Sequence, residues 1–134
     1  MKLYLLDTHT WLWYMNGNKN LSNHARGIIS EAICDRKIHI AAISLWEIAM
    51  LEKMKRIVME MPCLEWIKRS IEMINLEIIN LTPEIAVESS CLPGKFHGDP
   101  ADRLIVASAR IENMTIITKD KQILAYEHVT KQSA

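Results

Sequence analysis

The chain has 134 residues, 49% hydrophobic and 24% charged, enough for one compact domain and too apolar for disorder. Its 16 basic residues balance 16 acidic ones, which excludes a globally basic nucleic-acid footprint and leaves only local phosphate sites, such as those around Lys53, Lys55 and Arg56 or Lys68 and Arg69. Three scattered cysteines exclude a disulfide scaffold or zinc spacing, no stretch approaches the roughly 18 apolar residues of a membrane helix, and the Met-Lys start is too short for a signal peptide; a cytoplasmic protein is expected.

In chain order, Leu3-Tyr4-Leu5-Leu6 is apolar throughout and predicts a central strand covered on both faces. A helix over 9–15, a polar turn at Asn16 to Asn20, and a helix over 22–35 with Ser22 as N-cap follow. The pattern then predicts a strand over 38–43, helices over 45–56 and 62–74, and a strand over 76–81. Thr82-Pro83-Glu84 opens a helix with an N-cap, a proline in the first turn and an acid beside the helix dipole. Beyond a loop from Gly94 to Gly98 come a helix over 100–112, a strand over 114–118, a short helix near 121–126, and an edge strand near His128-Val129-Thr130. Strands alternating with helices imply βαβ crossovers, so the fold class is α/β with a mostly parallel sheet of four to five strands in one domain, 1–134.

Four carboxylates stand at or just after the strand exits or at a helix head: Asp7, Glu47, Asp102 and Asp120. The carboxyl ends of parallel strands face one crevice, where ligands bind. Taken singly, three of the acids have a good structural explanation. Ser44-Leu45-Trp46-Glu47 and Asp99-Pro100-Ala101-Asp102 both read as capping boxes and Asp120 as a turn or cap, whereas Asp7, ending a buried first strand, has little structural excuse beyond an Asx-turn or a cap for helix 9–15. Against this, Glu47 heads the helical stripe Met50, Leu51, Met54, and Asp102 heads Ile105, Val106, Ala109. An ionised carboxylate aimed at apolar surroundings is expensive unless a cation holds it. An all-oxygen set selects Mg²⁺ or Mn²⁺ rather than zinc, and such sites serve phosphoryl chemistry. Asp99 reads as a cap that reaches the metal through water. No nucleophile elbow, cysteine–histidine pair or Gly-rich phosphate loop is present.

Four segments resemble the signature segments of PIN-domain proteins: Leu6-Asp7-Thr8-His9-Thr10-Trp11-Leu12-Trp13, Ser44-Leu45-Trp46-Glu47-Ile48, His97-Gly98-Asp99-Pro100-Ala101-Asp102-Arg103-Leu104-Ile105-Val106-Ala107, and Thr115-Ile116-Ile117-Thr118-Lys119-Asp120. Their order and spacing are similar to those of VapC-type toxins of bacterial toxin–antitoxin pairs over essentially the whole chain. The resemblance implies an α/β/α sandwich, Mg²⁺- or Mn²⁺-dependent endoribonuclease activity on RNA, a homodimer, and a cognate antitoxin. It carries Asp7, Glu47 and Asp102 over as the core acids and Asp120 as a fourth. It also makes Thr8, Ser44 and Thr118 polar neighbours that orient them, and Arg103 a residue that meets either phosphate or an acid. Many relatives have a single aspartate where this chain has Asp99 and Asp102, and Asp102 is preferred as ligand because it opens the apolar stripe. A haloacid-dehalogenase-like phosphatase would need a second acid at the position of His9, and a receiver needs adjacent acids at the first strand; neither pattern is met. A PIN-like module that binds RNA or protein without cutting is the alternative function. Methionines around helix 45–56 suggest that the helical pair over 45–74 holds the antitoxin or a second subunit.

Overall fold

The computed structural model describes residues 2–134. Five strands form one sheet: β1 (Tyr4–Leu6), β2 (Ile38–Ala41), β3 (Glu77–Ile79), β4 (Thr115–Thr118) and β5 (Lys131–Ser133). Their order is β3-β2-β1-β4-β5, and every pairing is parallel. Among the described residues seven helices connect them: α1 (Thr8–Asn16), α2 (Asn23–Cys34), α3 (Ala42–Lys53), α4 (Cys63–Met73), α5 (Pro83–Ser90), α6 (Pro100–Glu112) and α7 (Lys121–Ala125).

Period-two alternation divides the central strands between two cores. Leu6, Ile117, Ile38 and Ile40 pack with Trp11, Ile29, Ile48 and Trp66 on one face, where α1 to α4 lie. Leu5, Ile116 and Ala41 pack with Ile85, Ile105, Val106 and Ile123 on the other, against α5, α6 and α7. Register makes this mutual: Leu5 stands opposite Ile116, and Leu6 opposite Ile117. The central residues of β1 and β4 are buried on both faces, which is why Leu5-Leu6 and Ile116-Ile117 are apolar without alternation.

The winding starts at β1, runs outward through β2 to β3, then returns to place β4 on the other side of β1. The order therefore reverses between β1 and β4, and a crevice opens beyond their carboxyl ends. Asp7 directly follows β1, and Thr118 ends β4.

The departures from expectation that bear on the site and the sheet edge lie at β2, α3 and β5. β2 stops at Ala41 and α3 starts at Ala42, because the strand runs into the helix with no intervening loop. The N-cap of α3 is Ala41, which makes no side-chain cap bond. Ser44 and Glu47 thus lie inside the helix, and the capping box read there does not form. The buried line of α3 contains Ser44 and Ile48, whereas Met54 is exposed, so Glu47 sits beside the apolar stripe rather than at its head. The edge strand falls at Lys131–Ser133 instead of 128–130; Thr130 joins it only by accepting a bond from the Ile116 N–H. Elsewhere the caps behave as their residue types dictate: Ser22, Thr82, Asp99 and Asp120 each accept bonds from N–H groups of the helix they open.

Candidate functional site

Asp7 is held on both carboxylate oxygens. Oδ1 accepts from the Thr8 N–H at 2.8 Å, and Oδ2 accepts from Thr118 Oγ1 at 2.7 Å. Thr118 is fully buried, and its hydroxyl also accepts from the Asp120 N–H at 2.9 Å. One hydroxyl thereby joins the exits of β1 and β4 and sets the positions of two acids at once.

Glu47 enters from α3. Its Oε1 accepts from Thr8 Oγ1 at 2.5 Å, and Thr8 Oγ1 lies 2.8 Å from Ser44 Oγ. An ionised carboxylate can only accept, so the Thr8 proton goes to Glu47 and Ser44 donates to Thr8. Both hydroxyl residues are buried. Thr8 follows Asp7 in the chain, so the relay Ser44–Thr8–Glu47 ties the second acid to the first.

Asp102 lies in the first turn of α6. Its N–H is capped by Asp99 Oδ1 at 2.8 Å, whereas its own carboxylate takes no hydrogen bond among the described residues. Burial, followed by repulsion from Asp99, Asp120, Asp7 and Glu47, pushes its carboxyl up from the ordinary 3.8 to about 7. The same causes act on its neighbours. Burial raises Asp7, opposed by the bonds from Thr118 and Thr8 and reinforced by the charge of Asp120. Burial also raises Glu47, against the Thr8 bond and with the charges of Asp7 and Asp99. Asp120 caps α7, with Oδ1 accepting from the Gln122 and Ile123 N–H groups at 2.9 and 3.1 Å.

The fold therefore gathers Asp7, Glu47, Asp99, Asp102 and Asp120 into one repulsive field, and among the described residues none of them has an ion-pair partner. Also among the described residues, no three acids, histidines or cysteines are drawn tightly enough to enclose a metal as they stand. The donor chemistry nevertheless suits Mg²⁺ or Mn²⁺. These ions keep several waters and need only one or two direct carboxylates, and uncompensated acids favour a cation. Asp7, Glu47, Asp102 and Asp120 would hold it, with Asp99 at the rim.

Arg103 meets neither an acid nor the open crevice. Its Nε donates to the Ser89 carbonyl at 2.8 Å and its Nη1 to the Phe96 carbonyl at 2.9 Å, pinning the loop before α6 to the end of α5. This loop contains a site residue that sequence reasoning missed. A Cβ on Gly98 would stand 2.3 and 2.6 Å from the Phe96 ring and 2.8 Å from the Asp102 Cβ. Gly98 lets the buried Phe96 pack directly beside the start of α6. The sequence signal was a glycine immediately before an N-cap aspartate.

A family model described as PIN domain matches residues 4–129. The chain is also 34% identical, over 96% of its length and 95% of the relative's, to Ribonuclease VapC22 of Mycobacterium tuberculosis. The chain belongs to the PIN-domain family. The fold agrees with solved structures at lower identity. This PIN domain superposes with a TM-score of 0.70 and 18% identity on a chain of VapBC2 from Rickettsia felis bound to a DNA fragment from their promoter, covering 98% of each chain. It superposes with a TM-score of 0.68 and 16% identity on a chain of DNA-bound VapBC from Salmonella typhimurium, covering 99% of this chain and 98% of that one. Both likenesses extend the PIN-like α/β/α architecture over nearly the whole molecule.

Proposed function

We propose that this chain, acting as one PIN domain, is a Mg²⁺- or Mn²⁺-dependent endoribonuclease toxin that a cognate antitoxin neutralises in the cytoplasm. The observation that carries the reading is the convergence of Asp7, Glu47, Asp102 and Asp120 from four separate elements with no ion-pair partner among the described residues. The 34% identity to a protein named a ribonuclease supports the activity. The VapBC complexes among the structural neighbours support the antitoxin. Among the described residues no helix is long and apolar enough to cross a membrane.

A bound divalent cation supplies Lewis acidity and a water of lowered pKa for in-line attack on a phosphodiester. This chain's own residues hold and align the donor set. Thr118 fixes Asp7 relative to Asp120, the Ser44–Thr8 pair fixes Glu47, and Asp99 fixes the first turn of α6 beneath Asp102. The surface between the end of α1, the segment before α4, and α4 itself supports an antitoxin contact. A groove of about 490 Å³ there is lined by Met15, Met59, Met61, Trp66, Arg69 and Met73, and flexible methionines suit a packed peptide segment. A homodimer completes the proposed assembly.

The test is expression without antitoxin. Asp7→Asn and Asp102→Asn each abolish toxicity and RNA cleavage while the protein stays folded; full toxicity with these acids neutralised refutes the reading. The alternative is a PIN-like module that binds RNA or protein without cutting. A pure binding module would show no Mn²⁺-dependent change in stability.

A further inference from the structure

Trp11 and Trp13 stand two residues apart on α1 and meet different fates. Trp11 is wholly buried, and its Nε1 donates to Ser70 Oγ at 2.6 Å. Trp13 is only half-buried, with one side against the core and the rest at the rim of the acid site. His9 lies one helical turn before it on the same face, its ring centroid 5.7 Å from the indole and tilted by 49°. Lys119, between Thr118 and Asp120, holds its ammonium 5.8 Å from the Trp13 ring centroid and donates to the Asn20 carbonyl. These three side chains, with Thr10, wall a cleft of about 260 Å³ whose remaining lining is Asp7 and Asp120.

That combination is unusual for a surface shaped only by packing. His9 and Lys119 are exposed, so neither is needed for the core. The cleft offers an aromatic face and an imidazole to a flat apolar ring. It offers an ammonium to a phosphate, and two carboxylates of the candidate metal site lie directly beside them. Single-stranded nucleic acid is bound by aromatic faces under the bases and cations along the backbone, whereas a base inside a duplex is already stacked and cannot reach such a face.

We propose that this cleft is a nucleotide subsite: one unpaired base of a single-stranded RNA stacks on Trp13 beside His9, and Lys119 neutralises an adjoining phosphate. The inference rests on the ribonuclease reading and adds to it the location of one nucleotide, on the α1 and β4–α7 side of the acids. The chain's even charge balance agrees with it, because affinity would come from stacking and one local cation rather than from a basic surface.

The experiment uses the full chain carrying Asp102→Asn, in Mg²⁺, with a labelled mixed-sequence single-stranded oligoribonucleotide and its duplex followed by fluorescence anisotropy. Adding Trp13→Ala weakens single-strand binding by about 5- to 100-fold, and Trp13→Phe keeps most of it. Adding Lys119→Gln, at an exposed position, lowers the slope of log affinity against log salt by about 0.7. The duplex binds more weakly than the single strand throughout. Unchanged affinity in Trp13→Ala together with an unchanged salt slope in Lys119→Gln overturns the subsite, as does equal binding of the duplex. So does a Trp13→Ala protein that loses affinity for an antitoxin but not for RNA. The unmodified chain separates the two levels. If it fails to cleave RNA in Mg²⁺ or Mn²⁺, the ribonuclease reading falls and takes the subsite with it. If it cleaves while its affinity ignores Trp13 and Lys119, only the subsite falls.

Discussion

At the scale of single residues, the candidate site is organised by three hydroxyls rather than by the acids themselves. Thr118 donates to Asp7 while accepting from the Asp120 backbone, and Thr8 connects Glu47 to Ser44. Thr118→Val keeps the shape and removes both bonds in a buried place, leaving the Asp120 N–H without this acceptor. Unfolding in denaturant should show a loss of about 1–3 kcal/mol, and RNA cleavage should fall by roughly 10- to 100-fold. Asp102 gives a prediction of opposite sign. Its folded carboxyl is raised to about 7, above its unfolded value, so the folded state binds the proton more tightly. The stability associated with that proton is fully present below about pH 4 and is lost as pH rises through about 7. In metal-free protein, Asp102→Asn should therefore be more stable than the parent above pH 7 by about 1–2 kcal/mol, a figure discounted for partial solvent screening, and no more stable near pH 4. Thermal unfolding in chelator across this range checks it. The acids were legible in the sequence because they end strands or open helices. The Thr8–Glu47 bond was not, since it joins residues 39 apart through tertiary packing alone.

At the scale of elements, the two helices that supply acids differed in how clearly the chain announces them. Asp99-Pro100 is a cap followed by a first-turn proline, and α6 begins where that pair places it. α3 carries no cap residue at its start, and Ile43 prolongs the apolar run of β2, so the strand was expected to continue past Ala41. The same error turned Ser44 and Glu47 into a capping box and obscured how they reach Thr8. β5 was displaced for a related reason: Lys131-Gln132-Ser133 is polar, and only pairing with β4 makes it a strand. At the joint before α6 the sequence showed a glycine beside a cap residue but not why it is needed, because the need for Gly98 arises from the Phe96 ring and the Asp102 Cβ that fold against it. Gly98→Ala should destabilise by about 1–3 kcal/mol through overpacking and lower Mn²⁺ affinity by tilting the start of α6. Phe96→Leu added to it, which shortens the crowded side chain, should recover part of both. Denaturant unfolding and Mn²⁺ titration of the two variants measure the effect, and no recovery would place the defect elsewhere.

At the scale of the whole molecule, the strand order turns acids far apart in the sequence into one site. Placing β4 beside β1 brings Thr118 and Asp120 to Asp7, while α3 and α6 bring Glu47 and Asp102 over the same crevice. Alternation and crossover logic made the α/β class and the strand–helix order legible. The strand order itself follows from which faces each helix covers, and one sequence does not display that. Five acids in one electrostatic field oppose folding in the absence of a cation, and a divalent metal bound where RNA is cut would relieve this repulsion. The most direct measurement is thermal unfolding with added Mn²⁺, run beside RNA cleavage on the same samples, for the parent chain and Asp7→Asn. At 100 times the dissociation constant the parent should gain about 2.7 kcal/mol and cleave RNA, while folded Asp7→Asn gains far less and leaves RNA intact. Equal Mn²⁺ stabilisation and equal cleavage in the two proteins would rule out a metal-dependent cut at Asp7.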